Sequence, residues 1–158
     1  MSIDPDTFRA ALGRFASGVT ILTVLDAEGR DHGMTVSAFC SLSLDPPLVL
    51  ACIDRSADMH ALLLKREHVG ITLLAAGQEA LSRRFAELES DRFEGLGFSR
   101  GEHGVVLFDG ALAHLECRVR ARHPEGDHTI IVCEVERAEV RQERPLLYYR
   151  GGYAQLER

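Results

Sequence analysis

Apolar residues recur along this chain in two rhythms. Near the start, Phe8, Ala11, Leu12 and Phe15 fall on one helical face. Asp4 suits the cap of that helix, Pro5 its first position, and Gly18 its stop. Residues 19–25 are apolar and β-branched, and a turn cluster follows from Asp26 to Gly29. Over 34–44 the apolar residues stand at 34, 36, 38, 40, 42 and 44, a two-residue period that predicts one half-buried strand. Asp45-Pro46-Pro47 breaks it, and Leu48 to Ile53 forms a short apolar strand. A helix from Ser56 to Lys65, a strand from Val69 to Leu74 and a helix from Gly77 to Glu89 follow, the last with Leu81, Phe85 and Leu88 on one face. Residues 90–109 are rich in glycine and charge and read as an irregular excursion, which in a compact domain is more often functional than idle. Two long strands, 111–122 and 128–140, come next, and the chain closes with Pro145 to Tyr149 and Arg150-Gly-Gly-Tyr153. Strands outnumber helices without a βαβ alternation. The pattern predicts a mainly β fold, a closed or nearly closed antiparallel barrel with peripheral helices, as one domain over 1–158.

Composition narrows the function. With 158 residues, 18 basic against 24 acidic and a net charge of −6, the chain's balance argues against a nucleic-acid binder, whose footprint is a net basic face. No apolar run approaches the ~20 residues of a membrane helix. The first residues carry neither the basic nor the apolar part of an export signal, which predicts a cytoplasmic protein. Cys40, Cys52, Cys117 and Cys133 each lie in apolar runs without a C-x-x-C pair and read as four buried thiols in a reducing compartment. No two of the seven histidines stand four apart on one helix, which argues against a metal cluster.

The chemistry-bearing motifs of hydrolases, nucleotide-binding loops and zinc proteases are absent. If the chain is an enzyme, a bound cofactor supplies the chemistry. Three segments stand out. In Gly33-Met-Thr-Val-Ser-Ala-Phe39, small hydroxyl residues beside a glycine suit the approach of a flat ring to the backbone, or an ordinary solvated strand face. In Gly126-Asp127-His128, Asp127 suits the orientation of His128, or the segment is a plain turn. Tyr148, Tyr149 and Tyr153, all the tyrosines, suit a stacking surface or a packed C-terminal strand.

The order of segments says more than any one of them. Gly13-Arg-Phe-Ala-Ser-Gly-Val-Thr20, Gly33 to Phe39, Ser41-Leu-Ser-Leu-Asp-Pro-Pro-Leu48, Arg84-Phe-Ala86, Leu115-Glu-Cys117, Gly126-Asp-His128 and Pro145 to Tyr149 with Tyr153 succeed one another. From about Phe8 to Tyr153 this succession resembles the short-chain flavin reductases, the NAD(P)H:flavin oxidoreductases that serve two-component monooxygenases. Departures are Ser17 where the family usually has Thr, Cys133 where Gly is frequent, and no proline before Gly110. The resemblance implies an FMN-binding split β-barrel of six or so antiparallel strands in a Greek-key-like arrangement, usually a homodimer, with FMN or FAD bound non-covalently. It places Thr35, Val36, Ser37 and Ala38 against the isoalloxazine, with Ser41 on the same strand. It likewise implies that Cys52, Ile53, Asp54, Arg55 and Ser56 line the ribityl and phosphate path; Arg55 and Arg84, next to that path, suit anion partners or ordinary solvated surface charges. By the same resemblance Phe85 is expected to close one side, and His128 with Tyr153 to meet the nicotinamide of NADH or NADPH, His128 as the catalytic positioning group. Hydride transfer between stacked rings needs no protein nucleophile, which accords with the missing triads. The alternatives are a flavin- or haem-binding barrel without pyridine-nucleotide activity, which has no need of Gly126-Asp127-His128, and a non-catalytic dimeric interaction domain.

Overall fold

The computed structural model describes residues 2–87 and 91–157. Helix α1 (Pro5–Leu12) begins as its sequence dictates, with the Asp4 carboxylate accepting the Thr7 N–H at 3.0 Å and Pro5 in the first turn. It ends at Gly13, short of Gly18, and buries none of its residues; Phe8, Leu12 and the following Phe15 are 52, 54 and 79% exposed. The two-residue β1 (Ser17–Gly18) leads into β2 (Thr20–Leu25), β3 (Asp31–Val36), β4 (Phe39–Ser43) and β5 (Leu48–Asp54). A one-turn helix α2 (His60–Leu63) and β6 (His68–Leu73) follow. Helix α3 (Glu79–Glu87) precedes the hairpin of β7 (Phe98–Arg100) and β8 (Val106–Phe108). Then come the long β9 (Ala113–Glu125) and β10 (His128–Val140), and finally β11 (Leu146–Tyr149) and β12 (Gly152–Gln155).

Seven antiparallel strands form the main sheet in the order β3-β2-β6-β9-β10-β5-β4, and β1 joins β11 and β12 in a small second sheet. The outer strands of the seven, β3 and β4, are consecutive in the chain and separated only by Ser37 and Ala38. Two residues span at most about 11 Å between Val36 and Phe39, so the sheet must curl until its edges meet. That closure makes it a barrel.

The strands sort their side chains into two cores. Leu22, Val24, Val69, Ile71, Ala51, Ile53 and Ile131 fill the barrel interior. The alternate residue Ile21 of β2 joins Val19, Leu74, Phe85, Val106, Phe108 and Leu146 in a second core under α3 and the β7–β8 hairpin. Strand β2 is buried on both faces, which is why its sequence reads as a continuous apolar run. Its Thr23 is accommodated by donating its hydroxyl to the Val106 carbonyl at 2.7 Å.

Several sequence expectations need correction. The predicted strand over 34–44 is two strands, broken at Ser37–Ala38, and a register shift between Ser41 and Ser43 disturbs the second. Phe39, not Cys40, packs on the barrel core; Cys40 is exposed, and Leu44 is 92% exposed. The break slips the face assignment by one residue, which inverts every side chain after it. The four thiols are therefore not all buried: Cys117 and Cys133 are, Cys52 is half-buried and Cys40 faces outward. Burial pushes both inner thiols up, Cys133 to about 12, so they stay neutral. Ser56 caps no helix; its N–H and hydroxyl both donate to Asp54 at 2.8 Å, and α2 starts only at His60. The excursion contains β7 and β8, and Phe85, Phe93, Phe98 and Phe108 close against one another beneath it. The predicted end of the third helix at Glu89, with Leu88, lies outside the described residues. No helix among them is long and apolar enough to cross a membrane.

Candidate functional site

The two-residue junction that closes the barrel is exposed. Ser37 and Ala38 are exposed and carry small side chains, while Val36 before them is buried. The Ala38 carbonyl accepts the Cys52 N–H at 2.9 Å, which sets β5 directly beside the junction. Strand alternation then governs what β5 offers. Cys52 and Asp54 point outward, whereas Ile53 is fully buried in the barrel core, so its side chain cannot line a ligand path. Asp54 pairs in register with His128 of β10, and the Arg55 N–H donates to the Asp127 carbonyl at 2.9 Å. Ala38, Cys52, Asp54, Arg55, Ser56 and His128 thus run continuously from the junction to the β5–β10 end. Ser41 lies exposed on β4, opposite Val49.

The His128 imidazole is held by its neighbour, with Nδ1 at 2.7 Å from Asp127 Oδ1. Assigning the Nδ1 proton to that bond leaves Nε2 as the free ring atom. Hydrogen bonds from the Ser56 N–H and hydroxyl keep the Asp54 carboxyl below its usual range, helped by the nearby His128 and His60 imidazoles. His60, unmarked in the sequence, reaches Thr129 Oγ1 with Nε2 at 2.8 Å. Arg55 spends one N–H on the Gly126 carbonyl at 3.3 Å and has no carboxylate partner among the described residues.

On the other side of the junction the outcome differs. Thr35 does not present its hydroxyl to a ligand; Oγ1 donates to the Ser82 carbonyl on α3 at 2.7 Å. Ser82 Oγ in turn meets Tyr153 Oη at 2.7 Å, and the Arg83 guanidinium sits 4.9 Å above the Tyr153 ring. Thr35, Ser82 and Tyr153 form one relay, of which Ser82 carried no signal beyond its place two residues before Arg84. Phe85 is 2% exposed, packed beneath Gly33 and against Phe93 and Phe108, so it belongs to the second core and closes no pocket. Arg84 donates to the carbonyls of Asp91, Arg92 and Glu94, which commits its guanidinium to holding that segment rather than to a phosphate. No contact among the described residues joins His128 to Tyr153; each connects separately to the junction.

These residues suit a flat, anionic, multi-ring ligand. Small side chains at 37–38 let a ring approach the backbone, a Cβ placed on Gly18 would meet nothing within 4 Å, so the space beside it is open, and Arg55 offers uncommitted donors at the far end.

Residues 12–157 match the family described as the flavin reductase like domain. The chain is 45% identical over 159 residues to an NADH-dependent flavin reductase of a Rhodococcus species, covering 98% of this chain and 88% of that one. It is 43% identical over 152 residues to an FMN reductase (NADH) of Agrobacterium fabrum, covering 96% and 86%. A Streptomyces globisporus NADH:FAD oxidoreductase, solved in complex with NAD and FAD fragments, superposes with a TM-score of 0.92 at 36% identity, covering 99% of this chain and 96% of that one.

Proposed function

Because this chain belongs to the flavin reductase like domain family, we propose that it takes hydride from NADH, or less readily NADPH, onto FMN or FAD and delivers the reduced flavin to a flavin-dependent monooxygenase. The observation that carries this reading is the exposed Ser37–Ala38 backbone, continuous with Cys52, Asp54–Ser56 and His128 along one surface. When bound, the flavin supplies the hydride-accepting ring. Ser37 and Ala38 give that ring a floor of backbone amides. Arg55 and Ser56 face its phosphate, where local positive charge must overcome a chain of net charge −6. His128, oriented by Asp127, presents Nε2 to the nicotinamide carboxamide. No proton needs to be supplied for the hydride step, so the task of the site is to align two rings and exclude water. Haem or flavin binding without turnover gives the Asp127–His128 pair nothing to do.

Supporting the reading, relatives that match nearly the whole chain carry names specifying NADH as donor and FMN or FAD as acceptor. Another, 37% identical, is the reductase subunit of a flavin-dependent monooxygenase in Rhodococcus jostii. We place the protein in the cytoplasm, where its four unpaired thiols stay reduced. We also propose that the whole chain acts as one domain and pairs as a homodimer through surface that includes the exposed apolar side of α1.

The test is a two-by-two assay of NADH and NADPH against FMN and FAD, following loss of the reduced nicotinamide absorbance. Turnover is expected with both flavins and fastest with NADH; no turnover in any combination overturns the proposal. In stopped flow, His128→Ala is expected to slow flavin reduction about 10–100-fold with flavin affinity nearly unchanged. Unchanged traces would remove His128 from the site.

A further inference from the structure

The sequence spacing of histidines argues against a metal cluster, but helical spacing has no reach across a sheet. His68 opens β6, at the end remote from the junction: β6 finishes at Leu73, which pairs with Thr20, and Thr20 pairs with Val36. Five residues of strand put about 17 Å between the two ends. On the neighbouring strands His68 is in register with Arg118 of β9, and Arg118 with Glu134 of β10. Two residues further on, β10 bulges. Val135 pairs with Cys117 and Arg137 with Glu116, so Glu136 has no partner on β9. A bulge re-aims the extra side chain, and here the Glu136 carboxylate reaches 4.0 Å from His68 Nδ1.

The third member comes from the β7–β8 hairpin. His103 lies in its turn, before Gly104, whose φ of +83° lets the chain reverse. Its ring stacks on His68 with centroids 3.6 Å apart and planes 6° from parallel. The turn is docked on the barrel: Glu116 accepts the Glu102 N–H at 2.7 Å, and Arg137 donates to the Glu102 carboxylate at 3.2 Å. One ligand atom from each of His68, His103 and Glu136 falls within a 4.8 Å cluster. Independently of that grouping, His68 Nδ1 is buried and has no hydrogen-bond partner. A buried ring nitrogen facing a carboxylate without bonding to it has the disposition of a ligand awaiting a cation.

We propose that His68, His103 and Glu136 form a binding site for a divalent transition-metal ion of the zinc class, which pins the β7–β8 hairpin to the barrel wall. Two imidazoles and a carboxylate are the donor set such ions prefer, with water completing the tetrahedron. Glu67 faces the other ring nitrogen of His68 at 3.9 Å, in the position of the carboxylate that commonly orients a metal-bound histidine. The adjoining cleft, about 260 Å³, is lined by Leu25, Lys65, Arg66, Glu67 and Val105 besides the two histidines, which leaves room for solvent ligands. Arg118 competes for Glu136 from 4.0 Å on its other oxygen, so binding draws that carboxylate away from an exposed ion pair. Ligand atoms in a tetrahedral zinc site stand ~3.4 Å apart, so the cluster contracts slightly and His103 turns out of the parallel stack.

The test uses the full chain after chelator treatment. Calorimetric titration with zinc chloride is expected to show one site per chain, and saturating zinc, at about 100 times Kd, raises Tm by about 5–10 °C. With cobalt as probe, visible ligand-field bands appear without the near-ultraviolet charge-transfer band of a thiolate, which separates this site from Cys40 and Cys52. His103→Ala, an exposed change that leaves the fold intact, and Glu136→Gln are each expected to weaken Kd at least about 10-fold. Glu102→Gln loosens the turn while keeping all three ligands and is expected to retain one-to-one binding. No heat at millimolar zinc, a thiolate band with cobalt, or the same affinity in His103→Ala and Glu136→Gln overturns the proposal. None of these readouts depends on flavin turnover, so the site stands or falls separately from the proposed activity.

Discussion

One carboxylate, Asp26, organises the reversal between β2 and β3. Its side chain is only 7% exposed and accepts the Glu28 and Arg30 N–H groups, the Arg30 guanidinium and the His32 ring, all within 2.9 Å. Bonding to His32, then to the Arg30 backbone, holds its carboxyl well below the ordinary value of 3.8. A lowered folded-state pKa stabilises the fold above the unfolded value and loses that contribution as pH falls through the folded one. Asp26→Asn is therefore expected to lower Tm at neutral pH, with the gap to wild type closing as pH drops below about 4. Thermal melts across that range check the sign; a gap that widens in acid contradicts it. Ser82→Ala, which strands the Tyr153 hydroxyl, is expected to cost about 1 kcal/mol in urea denaturation. The turn around Asp26 was legible because Asp and Gly advertise it. Ser82 was not, since a serine inside an amphipathic helix looks the same whether or not a tyrosine 71 residues away bonds to it.

At the scale of elements, legibility followed how far a rhythm persists. The runs of β2, β6 and the β9–β10 pair are long enough for burial to fix them, and the structure places all four near their predicted bounds. The β3–β4 region misled because Ser37–Ala38 carries no Gly, Pro, Asn or Asp, leaving only the weak turn preference of a serine, while apolar residues kept alternating on a face that the break had reversed. The site inherited the same error, since Thr35 points to α3 and only the backbone after Val36 is open. Strands of three residues in β7 and β8 have too few positions to show any period. Gly70 illustrates an interior constraint on β6. A Cβ there would meet Thr23 Oγ1 at 2.6 Å and the Val106 carbonyl at 2.8 Å, so the hairpin rests directly on bare backbone. Gly70→Ala is expected to destabilise the protein by about 1–3 kcal/mol, read as a lower denaturation midpoint with an unchanged slope.

Across the whole molecule, the barrel core and the second core leave α1 unburied on every side, and Leu42 in β4 and Leu44 just past its end open to solvent. Isolated apolar residues on a surface need no explanation, but a capped amphipathic helix that buries nothing calls for a partner. Light scattering is expected to give the mass of two chains, and Phe15→Glu to shift it toward one. A wild-type mass of one chain rules the dimer out. The closure of the barrel carries a last consequence. Its perimeter is completed through a link so brief that, with the ligand seated as we propose, enclosure and recognition share the same few atoms. Lengthening that link by a single glycine is expected to relax the wall and displace the amides together, so the two properties cannot be altered one at a time.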